Sequence, residues 1–456
     1  MNRFFLLVIM FVASCYTNAQ VARTVELAEG DDIATLLGDD KYLIDSLSVN
    51  GFLSHDNFDV IQDCSYKGKL RKIDMSGCVI ENDSIDGLGL GRWYVVRLPQ
   101  KLKVIGRGAF LNYYGKTIEF PSTLRRIHAE AFYNSGALEN IIIPEGVEEI
   151  GEFAFYNCRK AKRIQLPSTL KVIDNYAFAG VGCDVESELI FSEGELERIG
   201  NGAFMSMQTI TELSLPSTVV SLGMGAFALS VNLKYLKLPE NLETLKTEAF
   251  SKCCLEEIIW PEKLREIEYN AIGNLMMDCL ELPEGLTKIN DNAIISAKTE
   301  KLILPSTLTD LSYVSFCACT AIKEVYAKSP VPPILDMNGS ALPFPKDAIL
   351  YVPVGARDAY LSVFCHGEFK DIIEIENIPT LIDGVIKDDV AYSVCGENGA
   401  ISIVSNSKTS VPYYIYTTDG KLYDKGLLAG GTIVVNVGKG VYVVKVGTNT
   451  ERVIVR

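Results

Sequence analysis

The feature that most constrains this chain is a strand-like pattern recurring thirteen times between Ile44 and Ala327: an apolar residue, two variable residues, an apolar residue, one variable residue, an apolar residue, and usually proline. Leu138-Glu-Asn-Ile141-Ile-Ile143-Pro144 is a clear copy. The copies begin at 44, 70, 93, 115, 138, 161, 186, 210, 233, 255, 277, 299 and 322, in steps of 22 to 26 residues. A period of that size predicts a solenoid, in which each unit buries its apolar face only by stacking on its neighbours. Such a stack presents one long regular surface, which suits recognition better than chemistry.

Two columns follow from the pattern. The fourth position is Leu47, Ile73, Val96, Ile118, Ile141, Ile164, Leu189, Leu213, Leu236, Ile258, Leu280, Leu302 and Val325. Unbroken branched apolar residues predict a ladder buried along the stack, with the intervening residues facing solvent. The following proline has no N–H and ends the strand pairing. Further along each unit comes a second column: Phe110, Phe132, Phe155, Phe178, Phe204, Phe227, Phe250, Ile272, Ile294 and Phe316. Alanine precedes each until Ser315. Small-then-large predicts a tight turn in which the backbone approaches the core and the large side chain fills it.

Pro144-Glu-Gly-Val147-Glu-Glu-Ile150-Gly151-Glu-Phe-Ala154-Phe155-Tyr-Asn-Cys158 resembles the repeat of BspA-like leucine-rich-repeat proteins of bacterial cell surfaces. The resemblance runs from about Ile44 to Ile375. Ala271-Ile272 and Ala293-Ile294 depart from Ala-Phe, and Ile127-His128 and Ile173-Asp174 depart from Ile-Gly, which loosens local packing only. The expected fold is mostly β with short irregular or helical turns: a leucine-rich-repeat solenoid of about 13 rungs on a parallel sheet, followed by a small C-terminal β-sandwich. Residues 20–91 read as the N-terminal cap and first rungs. Residues 92–378 read as the solenoid with its C-terminal cap, built from Ala348–Pro353, a helical Arg357–Val363 and Phe369–Ile375. Beyond Pro379 the period vanishes, and alternating runs such as Tyr413–Tyr416, Thr432–Asn436, Val441–Lys445 and Val453–Val455 predict the sandwich over 380–456. Its order of elements from Ile415 to Arg456 resembles the C-terminal sorting domain of type IX secretion cargo.

Met1-Asn2-Arg3, the apolar run Phe4–Ala13 and the small residues after it have the layout of a signal peptide over 1–19. Thr17-Asn18-Ala19 offers one cleavage site, and Val12-Ala13-Ser14-Cys15 resembles a lipobox that would place a lipid anchor on Cys15. The run is too short for a transmembrane span, and no later stretch supplies one. A net charge of −15 disfavours nucleic acid, whose phosphates need clustered cations. Twelve cysteines in an exported chain suggest disulfides. Yet Cys158, Cys253 and Cys319 follow the Phe column on widely separated rungs, which reads as core packing.

The chemistry-bearing residues do not assemble into a catalytic or cofactor site. His55, His128 and His366 stand apart in polar loops, Cys317-Ala-Cys319 lacks a companion pair for zinc, and Gly87-Leu-Gly89-Leu-Gly91 lacks phosphate-loop spacing. No catalytic residue, metal or cofactor is expected. The candidate ligand face comes from outward strand positions: Glu256, Glu257, Asp278, Glu281, Glu300, Tyr235, Tyr326, Lys162 and Arg163, with Ile142, Ile190, Ile259 and Ile303 also facing out. The expected role, whose adhesion part the family resemblance implies, is an exported cell-surface module. It would bind a host or bacterial surface protein or a glycan without catalysis. An architectural spacer is the rival reading. A glycan-degrading enzyme would need paired carboxylates in a cleft, which a flat sheet does not enclose.

Overall fold

The computed structural model describes residues 20–87, 91–336, 344–364, 369–379, 392–397, 399–405, 411–417, 421–428, 431–446 and 449–455. The leader with Cys15, the loop residue Gly89 and His366 lie outside them. The described residues form a parallel β-solenoid of about 15 turns, with antiparallel sheets near the C-terminus. The solenoid exceeds the thirteen expected copies because Ala22–Leu27 pairs ahead of the first, and Ile349–Pro353 and Asp371–Ile375 pair after the last. The copy at 115 forms no strand. There the Tyr113 hydroxyl donates to the Thr117 carbonyl at 2.8 Å, occupying an acceptor that a ladder would use.

The chain clusters into two compact units. One runs to Ile210 and includes Ser221–Val231; the other comprises Thr211–Val220 and the chain from Asn232 on. The first unit opens with a parallel sheet of Ala22–Leu27, Ser46–Leu53, Lys72–Ile80 and Val95–Arg97. Two helices cross over between its first three strands, α1 (Ile33–Leu37) and α2 (His55–Lys67). Helix α2 was not legible at a 22-residue period, although Ser54 caps it by accepting from the Asn57 N–H and it buries Phe58, Ile61 and Cys64. His55 therefore starts a helix instead of lying in a loop, its ring 3.3 Å from Glu81 and 3.5 Å from Asp86.

Within each rung the chain turns twice. The proline after the strand offers its carbonyl to the N–H three residues on, as in Leu124 to Pro121 at 3.0 Å and Leu242 to Pro239 at 3.1 Å. A two-residue strand then joins a second parallel sheet, seven strands in the first unit and five in the second. Its Ile-Gly element permits close approach between rungs: a Cβ on Gly151 would sit 2.7 Å from the Ala129 nitrogen, and one on Gly223 2.4 Å from the Gly200 carbonyl carbon. The second turn carries the Ala-Phe pair. Phe132 donates its N–H to the Ala154 carbonyl at 2.6 Å, Phe155 to Ala177 at 2.7 Å, and Phe178 to Ala203 at 2.8 Å. The rings of Phe110, Phe132, Phe155, Phe178, Phe204 and Phe227 stack with centroids 5.0 to 5.4 Å apart, and every one is buried. Left-handed residues recur two positions after the column residue, at Asn112 (φ 54°), Asn134 (58°), Asn157 (61°) and Gly180 (70°).

The fourth-position ladder is buried except at Ile118, Leu189 and Ile258, which are half-buried. Ile118 lies in the copy without a strand, and the other two lie on terminal strands of three-stranded sheets, where one side has no neighbour. Cys158, Cys253 and Cys319 are buried, and the ten described cysteines are free thiols. In the second unit the closing cap has the expected elements, with helix α3 (Arg357–Val363) burying Tyr360, whose hydroxyl donates to the Ser329 carbonyl at 2.9 Å. Beyond it, the antiparallel sheets Tyr392–Glu397/Ala400–Ser405/Gly431–Asn436 and Leu422–Leu428/Val411–Thr417/Gly440–Val446/Asn449–Val455 share one core of Ile401, Ile403, Ile415, Val444 and Val453.

Phe155→Ala empties one ring from a stack held on both sides and should cost about 3 to 5 kcal/mol in denaturant unfolding, with reduced cooperativity. An unchanged midpoint and slope would show that the column is not a packed core. Gly151→Ala should cost about 1 to 3 kcal/mol, because backbone rather than a flexible side chain meets the new methyl. A neutral result would mean that the rungs can separate there.

Candidate functional site

Parallel pairing brings outward residues into rows across the strands. In the first unit, Asn140, Arg163 and Glu188 share one row, and Ile142, Gln165 and Ile190 the next. Arg163 lies 3.7 Å from Glu188, and Lys162 lies 3.3 Å from Glu139. In the second unit, Glu212, Tyr235 and Glu257 form a row, followed by Ser214, Lys237 and Ile259. Nearer the cap, Glu281, Ile303, Tyr326, Tyr351 and Ile373 align.

The predicted acidic residues do not make a bare acidic patch. Glu256 pairs with Lys234 at 2.8 Å and Glu300 with Lys323 at 2.5 Å; Glu139 takes both Lys116 and Lys162. These residues all occupy the second repeat position, where Lys116, Glu139 and Lys162, then Lys234 and Glu256, then Glu300 and Lys323 set opposite charges on neighbouring rungs, while Glu256, Asp278 and Glu300 are three successive acids. Asp278 is exposed in the same column. Exposed pairs of this kind contribute little to stability, because water and salt screen them. Glu281 differs, because Lys328 reaches it at 2.6 Å and Glu284 at 3.2 Å, with only 16% of the lysine side chain exposed. Burial disfavours the charge on Lys328, but the hydrogen bonds it donates to the Glu281 and Glu284 carboxylates outweigh it and raise its pKa.

That bridge spans the rung carrying Ile303, which corrects the expectation for this residue: it is 2% exposed. Ile142 and Ile259 do face out, each about half exposed. Tyr326 is half-buried, stacked on Tyr351 at 4.7 Å and donating its hydroxyl to Glu324 at 2.9 Å. Burial and then the Glu324 carboxylate push that hydroxyl's pKa up.

Tyr235 and Glu257 are the predicted residues that the fold sets side by side on adjacent strands, and both contact Lys445, from the C-terminal antiparallel sheets. Lys162 and Arg163 belong to the first compact unit. Glu212 was missed although it stands in the same third-position column as Tyr235 and Glu257. Lys445, 188 residues from Glu257, left no local signal. A cleft of about 450 Å³ opens on the other sheet, lined by Glu266, Glu268, Lys288, Asp291, Asp310 and Ser312 among others. Asn290 and then Lys288 hold the Glu266 carboxyl below its usual range, and Lys246 and Thr247 do so for Glu268 against its burial. Among the described residues no group of three or more His, Cys, Asp or Glu is placed to hold a metal.

Comparison with known proteins gives the family. Comparison with curated proteins finds no match. Among solved structures, a leucine-rich repeat protein from Bacteroides ovatus is similar at 20% identity, over 60% of this chain and 81% of that one, with a TM-score of 0.35. The pneumococcal vaccine antigen PcpA is similar at 23% identity over 63% and 80%, with a TM-score of 0.37. The leucine rich repeat protein of T. pallidum is similar at 25% over 42% and 78%, with a TM-score of 0.30. Residues 94–206 and 197–323, just over half of the 456 residues, match the BspA type leucine rich repeat region in six copies. The chain belongs to the BspA-type leucine-rich-repeat family.

Proposed function

We propose that this protein is an exported cell-surface binding module whose strand face engages a protein or glycan ligand without catalysis. The C-terminal sandwich, 380–456, serves export or attachment. The observation that carries the reading is the register of outward side chains: within each compact unit, polar, charged and apolar groups repeat from strand to strand at the ~4.8 Å spacing of a parallel sheet. Exposed Ile142 in the first unit, and Ile259 and Tyr235 in the second, add apolar contact area to the outward strand positions of each. Family membership supports the same reading, since repeat stacks of this kind are used as extended binding scaffolds.

A hydrolytic role has weaker support. Glycan hydrolysis needs one carboxyl that keeps its proton at working pH beside another that does not. In the cleft both Glu266 and Glu268 are held towards the ionised form. Neither is suited to donate that proton.

An array of surface proteins and glycans probed with the exported chain should show one class of ligand. Ile142→Asp should weaken that binding about tenfold, since it places a charge in an apolar contact. Absence of any ligand would favour the architectural spacer. Deleting 380–456 should leave the solenoid folded by circular dichroism and misplace it in the native host. Normal surface display would refute the sorting role, and an insoluble product would show that the sandwich completes the fold.

A further inference from the structure

Lys445 stands on the outer side of the strand Gly440–Val446, between Val444 and Val446, whose side chains are buried in the sandwich core. Tyr414 pairs with Lys445 and Tyr416 with Val443 in the neighbouring strand, so Tyr414, Tyr416 and Lys445 share that outer face. The Tyr414 and Tyr416 rings stack at 6.3 Å. This face meets the row Glu212, Tyr235 and Glu257. The Lys445 ammonium hydrogen-bonds the Glu257 carboxylate and lies 5.8 Å from the centre of the Tyr235 ring, within the roughly 6 Å at which an aromatic face attracts a cation. Tyr416 is held there too: burial first, then Glu257 and Glu212, push its hydroxyl up to about 12.

We propose that Glu212, Tyr235 and Glu257 form a lysine-ammonium site on the strand face, that its resident occupant is the chain's own Lys445, and that the sandwich thereby covers this stretch. Two carboxylates flank one ring because parallel register sets them on adjacent strands. An aromatic face and a carboxylate together favour a cation that has lost part of its water, and only 22% of the Lys445 side chain is exposed. A partner that uses this stretch must present a cation of its own and displace Lys445. That consequence rests on the strand face being the binding surface; the cover itself does not.

Amine acetylation of the intact chain, read residue by residue by mass spectrometry, tests the cover without any ligand. Lys445 should react about tenfold more slowly than the exposed Lys439, which corresponds to about 1.4 kcal/mol in favour of the closed arrangement. Glu257→Gln should bring Lys445 to within about twofold of Lys439, and Tyr235→Ala should raise its reactivity in part, the near-neutral steps being below ~0.5 kcal/mol. Circular dichroism confirms that each variant remains folded. Equal rates for Lys445 and Lys439 in the unaltered chain, or unchanged protection of Lys445 in Glu257→Gln, would overturn the proposal. Protection of Lys445 in a chain that binds nothing on the array would leave the cover standing and remove the ligand-binding reading alone.

Discussion

The structure depends on one repeated contact: the N–H of Phe110, Phe132, Phe155, Phe178, Phe204 and Phe250 donating to the carbonyl of the alanine one rung further on, with the rings from Phe110 to Phe227 stacked beneath it. Each half of this contact requires the other. The hydrogen bond holds the turns at the spacing of a parallel sheet, and rings stacked at about 5 Å fit that same spacing. A small residue, alanine or in one rung Ser315, is needed because a bulky side chain would hold the turn away from the core. Two residues past the ring the backbone enters the left-handed region, so asparagine, glycine and serine gather there, and Leu229 occupies it at φ 64°.

Because the core and the turns hold the rungs together, the strand face is left free for outward side chains that the stack itself does not require. Part of that freedom goes into ion pairs between neighbouring second positions, Lys116 and Lys162 with Glu139, Lys234 with Glu256 and Lys323 with Glu300, which neutralise single sites on a chain whose net charge is −15. The remaining third and fifth positions carry Tyr235, Ile142 and Ile259 to the surface. The contact of Lys445 with Glu257 and Tyr235 shows that this face accepts another β-sheet laid on it.

The repeat, both apolar columns, the closing cap and the sandwich strands were legible in the sequence because a residue buried once per turn leaves a periodic mark. Helix α2 was not, since it interrupts the period once, and the extra turns at either end lack the full pattern. The candidate face was legible only as a set of outward positions. Which of them meet is decided by register, which placed Glu212 beside Tyr235, and by partners distant in sequence: Lys328 two rungs from Glu281, and Lys445 in the last antiparallel sheet. Ile303 shows the limit of alternation as a guide, because a lysine bridge buried a position whose parity points outward.

Amide hydrogen exchange at Phe132, Phe155 and Phe178 tests the central claim most directly. These N–H groups are bonded between rungs in the interior and are expected in the slowest class, exchanging only when the stack itself opens. Exchange at the rate of exposed turn amides would contradict the account, since the column would then be packed without the hydrogen bonds said to set its spacing.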